Sequence, residues 1–174
     1  MELLDELIDQ PCAELVRVEM GSIRWEYNYS SVVGKQNKHW HRFCGQNSAE
    51  VSRNGFGWLL PIWEAAKLKL RLADVYGVYN FNRMYVSAHT FGIEPHRHTD
   101  DGDYTMIYYP NTEWKKEWGG GTMIKNEVCD YVGNRLVIFP ASEKHQAMPV
   151  SRDCYELRSV VVFKTCTRIT ENPA

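Results

Sequence analysis

The sequence predicts a mainly β domain, an antiparallel sandwich or barrel with a helix packed outside one sheet. Three observations predict it. From Gly77 onward the chain reads as short apolar runs separated by Gly, Pro and Asn, the punctuation of strands joined by turns. Ahead of them, from Trp58 to Val75, the apolar residues recur at helical spacing. The 174 residues, 44% hydrophobic and 13% aromatic, are enough to fill one core. Residues 1–174 are therefore expected to form a single domain, with 1–77 as helical and strand support and 78–166 as the β core. No repeat, low-complexity stretch or linker divides it.

Taken in order, Leu3, Leu4, Leu7 and Ile8 lie at helical spacing before Pro11, which predicts a short leading helix. Ile23, Trp25, Tyr27 and Tyr29 alternate with polar neighbours, as a half-buried strand does. The polar, glycine-bearing span from Asn37 to Gly57 is expected to be loop. Leu59, Ile62, Trp63, Ala66, Leu70 and Ala73 form one stripe with Lys67, Lys69 and Arg71 mostly off it, so 58–75 reads as a single helix. Strands are expected over Val78–Ser87, Tyr104–Tyr109, Thr122–Lys125, Val128–Val132, Arg135–Phe139 and Leu157–Lys164.

Charge and cysteine content narrow the function classes. The formal charge of -2 arises from 20 basic and 22 acidic residues scattered along the chain, so there is no nucleic-acid signature and no footprint for an anionic membrane. Cys12, Cys44, Cys129, Cys154 and Cys166 are odd in number and far apart, which argues against a disulfide framework and a CxxC zinc site. The N-terminus, MELLDELIDQ, has neither the basic flank of a signal peptide nor the length of a membrane span. These features lead to the expectation of a cytoplasmic protein.

His98 and Asp100 stand two residues apart, a spacing that in extended chain turns an imidazole and a carboxylate to the same face. His145 lies 47 residues later, just past the strand-like run RLVIFP. Two histidines and one carboxylate on separate strands make a facial triad, which leaves coordination positions open on a non-haem iron(II). A closed zinc site would want a fourth ligand, usually sulfur, and no cysteine neighbours either histidine in sequence. Arg158 opens the run RSVVVF and would share a face with Val160 and Val162. If that face is inward, the guanidinium suits a carboxylate, because its planar fork matches two oxygens. The alternative is an edge-strand charge facing water, with Arg152, in the turn-like VSRD, as the rival anchor.

The ordered set MYVSAHTFGIEPHRHTD, YTMIYYPNTEW, GGGT, NRLVIFPASEKHQAMPV and LRSVVVF resembles the 2-oxoglutarate and iron(II) dependent oxygenases, and within them the prolyl 4-hydroxylase-like branch. The resemblance covers residues 78 to 164. It implies a double-stranded β-helix, or jelly roll, with N-terminal helices packed on the major sheet. It also implies iron(II), 2-oxoglutarate as co-substrate, dioxygen and ascorbate. By the same resemblance His98, Asp100 and His145 match the iron ligands, and Arg158 matches the residue that pairs with the distal carboxylate of 2-oxoglutarate. Tyr109 matches a tyrosine whose hydroxyl supports that carboxylate, and Tyr85 an aromatic near the co-substrate. Many prolyl 4-hydroxylases carry lysine about ten residues past the second histidine, whereas here arginine stands 13 past it.

The implied reaction is hydroxylation of a C–H bond with release of succinate and carbon dioxide. The expected substrate is a peptide or protein with proline favoured, the alternative being a free amino acid or other small molecule. A different class is a cupin-like metal-binding jelly roll without oxygenase activity. His96 makes a His-x-His pair with His98, but the glutamate of a cupin site does not follow. His39 and His41 are expected in loop, His89 near a strand end, and Asp101 and Asp103 as solvated turn carboxylates. Trp114 and Trp118 are expected to pack around the glycine run rather than line a substrate groove.

Overall fold

The computed structural model describes residues 1–32, 34, 38–93 and 95–167. Strand β1 (Glu2–Leu4) pairs antiparallel with residues 136–138, and helix α1 (Gln10–Gly21) follows. The expected leading helix before Pro11 is thus a strand, and Pro11 opens a helix instead of ending one. Proline suits the first helical turn because its missing N–H would have no partner there. The Asp9 side chain caps that turn by accepting from the Cys12 N–H at 2.8 Å. Strand β2 (Glu26–Tyr29) covers the end of the alternating run, but all four of its residues are exposed, so the half-buried face expected there is not formed.

The span read as loop, whose first residue Asn37 lies outside the described residues, holds strand β3 (His39–Gly45) and helix α2 (Ser48–Arg53). Its polar residues misled the pattern: His39 is buried inward on a strand whose inner face is not apolar. The long stripe is also interrupted. A 3-10 turn (Gly57–Leu59) leads into α3 (Leu60–Lys69), and α4 (Leu72–Tyr76) starts afresh after Arg71, which sits in the left-handed region at φ 50°. The expected stripe stays buried through Ile62, Trp63, Ala66 and Leu70 up to the break, but beyond it Leu72 is buried and Ala73 of that stripe is exposed, because the left-handed turn at Arg71 shifts the helical phase.

The second half follows the six expected strands with boundaries shifted by up to three residues, as β4 (Phe81–His89), β5 (Tyr104–Tyr109), β6 (Thr122–Ile124), β7 (Glu127–Cys129), β8 (Arg135–Pro140) and β10 (Arg158–Thr165), and adds one that was not expected, β9 (His145–Ala147). Together with β1, β2 and β3 they form a seven-stranded antiparallel sheet in the order β1-β8-β5-β10-β4-β3-β2 and a three-stranded sheet in the order β7-β6-β9. This is the double-stranded β-helix with helices on its major sheet.

Alternation along the central strands divides the core in two. Val161 and Phe163 of β10, with Met106, Tyr108, Leu136 and Ile138, pack against Ile62 and Trp63 under the helices. Val160 and Val162, with Ile107, Val137 and Phe139, fill the space between the sheets. All eight residues of β10 are buried, and each large side chain so placed contributes roughly 1.5–3 kcal/mol. The inward face of this strand carries the site.

Candidate metal centre

His98 and His145 are brought together by the backbone. His145 N–H donates to His98 O at 2.8 Å and His98 N–H to His145 O at 3.0 Å, so the loop before β5 joins the small sheet beside β9. Asp100 is fixed by its N–H to Ala141 O at 2.9 Å. Ligand atoms of His98, Asp100 and His145 then lie within 4.8 Å of one another. His145 Nε2 is 3.1 Å from Asp100 Oδ2, and His98 Nε2 is 3.6 Å from Oδ1.

Each imidazole is oriented by the carbonyl two residues before it: His98 Nδ1 to His96 O at 2.8 Å, His145 Nδ1 to Glu143 O at 3.0 Å. Those contacts place the proton on Nδ1 and turn the Nε2 lone pair toward Asp100. Burial holds both rings neutral, pushing His98 down to about 4 and His145 in the same direction. Two neutral imidazoles and a carboxylate are the donor set of an iron(II) site with open positions, and the residues fit that ion. Among the described residues this is the one such group, and all five cysteines are free thiols remote from it in sequence.

Lys164 is a site residue that the sequence reading passed over. It continues the inward row Arg158, Val160, Val162 on β10, is 1% exposed, and its ammonium lies against Asp100 Oδ2. Thr105 Oγ1 donates to the same oxygen at 2.7 Å. Burial, with the Arg83 guanidinium, pushes Lys164 down to about 7, while the carboxylate beside it favours the charged form. The period-two alternation of β10 was the signal that could have found it.

Arg158 is 2% exposed and faces the cavity that holds the metal cluster. Its Nε donates to Gly120 O, and its Nη2 lies 3.3 Å from Gly121 O and 3.4 Å from Thr122 Oγ1. The glycine run permits this approach: at Gly120, φ +73°, a Cβ would stand 3.0 Å from the Trp114 ring and 3.4 Å from Arg158 Cδ. The rings of Tyr109 and Tyr131 flank the guanidinium at 6.0 and 5.6 Å. Tyr109 is fully buried, its hydroxyl donating to Thr122 Oγ1 at 2.7 Å. Tyr85 lines the cavity with its ring 5.0 Å from that of His41. The apolar part of the wall is Ile107, Val160 and Val162.

The rival anchor is elsewhere, since Arg152 is exposed and lies over the Phe91 ring at 5.1 Å. His39 and His89 line the cavity beside Arg158. Trp114 and Trp118 pack edge to face at 5.1 Å, with Trp114 Nε1 bonded to Gly119 O, which is the packing role expected of them. Asp101 pairs with Arg83, and Asp103 accepts from Thr167 N–H and Oγ1. Among the described residues no helix is long and apolar enough to cross a membrane.

Comparison with known proteins places this geometry. The 2OG-Fe(II) oxygenase superfamily matches residues 77–163. No curated protein matches the chain. A Pseudomonas putida prolyl-4-hydroxylase superposes with a TM-score of 0.63 at 17% identity, covering 96% of this chain and 92% of that one. A Trichoplax adhaerens prolyl hydroxylase, in complex with a hypoxia inducible factor oxygen degradation domain peptide fragment, gives 0.61 at 15% identity over 94% and 82%. An oxidoreductase of the 2OG-Fe(II) oxygenase family from Burkholderia pseudomallei gives 0.68 at 10% identity over 95% and 84%. At these identities the structural likeness establishes the fold.

Proposed function

The chain belongs to the 2OG-Fe(II) oxygenase superfamily of dioxygenases, and from that membership we propose that it hydroxylates prolyl residues of a peptide or protein substrate. In this reading His98, Asp100 and His145 hold iron(II), and Arg158 anchors 2-oxoglutarate. The observation that carries it is the three-ligand cluster sharing one cavity with a buried arginine. The bound iron and co-substrate supply the oxidation: dioxygen, 2-oxoglutarate and a C–H bond become succinate, carbon dioxide and a C–OH group.

The chain's own residues do the rest. The carbonyls of His96 and Glu143 keep both Nε2 atoms directed at the metal position. Thr105 and Lys164 both engage Asp100 Oδ2 and so hold the carboxylate in place beside His98 and His145, where it would serve as a ligand. Arg158 meets the distal carboxylate with the donors that Gly120 and Gly121 leave free. Ile107, Val160 and Val162 keep water from the space between them, where a dry surrounding strengthens each charged contact.

A peptide substrate is supported by the fold shared with the Trichoplax enzyme and by an aromatic stack that joins the cavity wall at Tyr85. Half-exposed Tyr29 stacks on His41 at 3.9 Å, and His41 leans on Tyr85 inside, a flat surface suited to a proline ring. The test is anaerobic loading with iron(II) and 2-oxoglutarate, followed by air and proline-containing peptides. Succinate release matched by gain of one oxygen atom on proline supports the reading. Succinate without peptide oxidation rejects the prolyl substrate, and absence of both rejects the oxygenase.

A further inference from the structure

His39, His89 and Arg158 stand in a row across three neighbouring strands. Arg158 is directly opposite His89 in the pairing of β10 with β4, and the register of β3 with β4, Trp40 opposite Ala88, sets His39 opposite His89. All three side chains line the cavity and all three are buried. Their free hydrogen-bonding capacity differs. Arg158 spends its Nε–H and one Nη2–H on the Gly120 and Gly121 carbonyls, so three of its five N–H donors remain for a ligand. His89 Nε2 is engaged with Met148 O at 3.4 Å. His39 is 6% exposed, and its buried Nδ1 has no partner among the described residues.

An orphaned polar atom at this depth costs about 1–3 kcal/mol unless a ligand satisfies it. His39 also lies where the fields of His98, on the metal side, and Arg158, on the far wall, both bear on it. His39, His98 and Arg158 all line the one cavity. Burial keeps the His39 ring neutral, so with the proton on Nδ1 it can donate to an acceptor held in the cavity it lines.

We propose that His39 is a second binding residue for the distal carboxylate of 2-oxoglutarate, donating from Nδ1 to one oxygen while Arg158 donates to the carboxylate through the nitrogens it has free. The proposal rests on the oxygenase reading given above.

The full chain loaded with nickel(II) is titrated calorimetrically with 2-oxoglutarate and with 2-oxopentanoate, which keeps the keto acid end and lacks the distal carboxylate. His39→Phe is expected to weaken 2-oxoglutarate by about 10- to 100-fold while leaving 2-oxopentanoate and nickel affinity unchanged. His39→Gln, which restores a donor, is expected to recover most of the loss, and it carries the test if the Phe variant does not fold. An unchanged 2-oxoglutarate affinity in His39→Phe overturns the proposal, as does an equal loss for both acids or a Gln variant no better than Phe. Failure of the wild-type protein to bind 2-oxoglutarate at all instead overturns the oxygenase reading.

Discussion

Lys164 and Asp100 form a buried ion pair at the metal end of the cavity, with the ammonium against Oδ2 and both side chains almost wholly enclosed, at 1% and 8% exposure. A carboxylate so placed needs a positive partner, and a bound divalent ion would be a second one. Lys164→Met is therefore expected to destabilise the metal-free protein by roughly 3–5 kcal/mol, because Asp100 is left buried and unpaired. Saturating manganese(II) should restore much of that loss. Denaturant melts with and without metal check this, and equal losses in the two states would show that Lys164 serves packing alone.

The metal cluster makes a separate prediction. His98→Ala, Asp100→Ala and His145→Ala each remove one of three converging donors, and each is expected to abolish 2-oxoglutarate turnover in a folded protein. Metal affinity by equilibrium dialysis should fall in step. Turnover retained in any one of the three would remove that residue from the ligand set.

Arg158 and Arg152 were the two candidate anchors, and only Arg158 is in the cavity. Arg158→Ala should weaken 2-oxoglutarate by about 10²- to 10³-fold, the cost of stranding a carboxylate in a buried site. Arg152→Ala, at an exposed position over Phe91, should leave the affinity within experimental error. Calorimetry of both variants separates them, and a loss on Arg152→Ala would reverse the assignment.

What the sequence made legible depended on whether a local pattern matched the demand on it. Strands β5, β8 and β10 were readable because they are covered on both faces and so are nearly continuously apolar. His98, Asp100 and His145 were readable because metal chemistry restricts residue type and spacing together. His39 and Lys164 were not, since a polar residue on an inward strand face looks like surface until the strand's two neighbours are known. Pro11 was read with the wrong sign, as a stop, because proline marks both ends of helices and only the Asp9 cap tells which.

The helix predicted over 58–75 supplies a test of the backbone. Arg71 adopts φ 50°, ψ 49°, a left-handed conformation that costs a residue with a Cβ about 1–2 kcal/mol. Its ion pair with Asp74 is 70% and 65% exposed and adds little. Arg71→Gly should therefore be more stable than Arg71→Ala by about 1 kcal/mol in urea denaturation. Inside an unbroken helix the order reverses, with glycine about 1 kcal/mol worse, so the sign alone decides between the two backbones.

The buried histidines make stability depend on acid. His39 is pushed from 6.5 down to about 4, first by burial and then by the charges of His98 and Arg158. His41 moves to about 4, chiefly by burial. Because the unfolded chain binds the proton at the higher pH, each group contributes stability above 6.5 that is lost as pH falls from 6.5 toward 4. For fully enclosed His39 the slope is about 1.4 kcal/mol per pH unit within that window. Half-buried His41 adds less, since solvent screens it. Chemical denaturation of wild type and His39→Phe between pH 7 and pH 4.5 reads this directly. The variant's stability should fall less steeply by about one proton, and parallel curves would mean that His39 takes up its proton without unfolding.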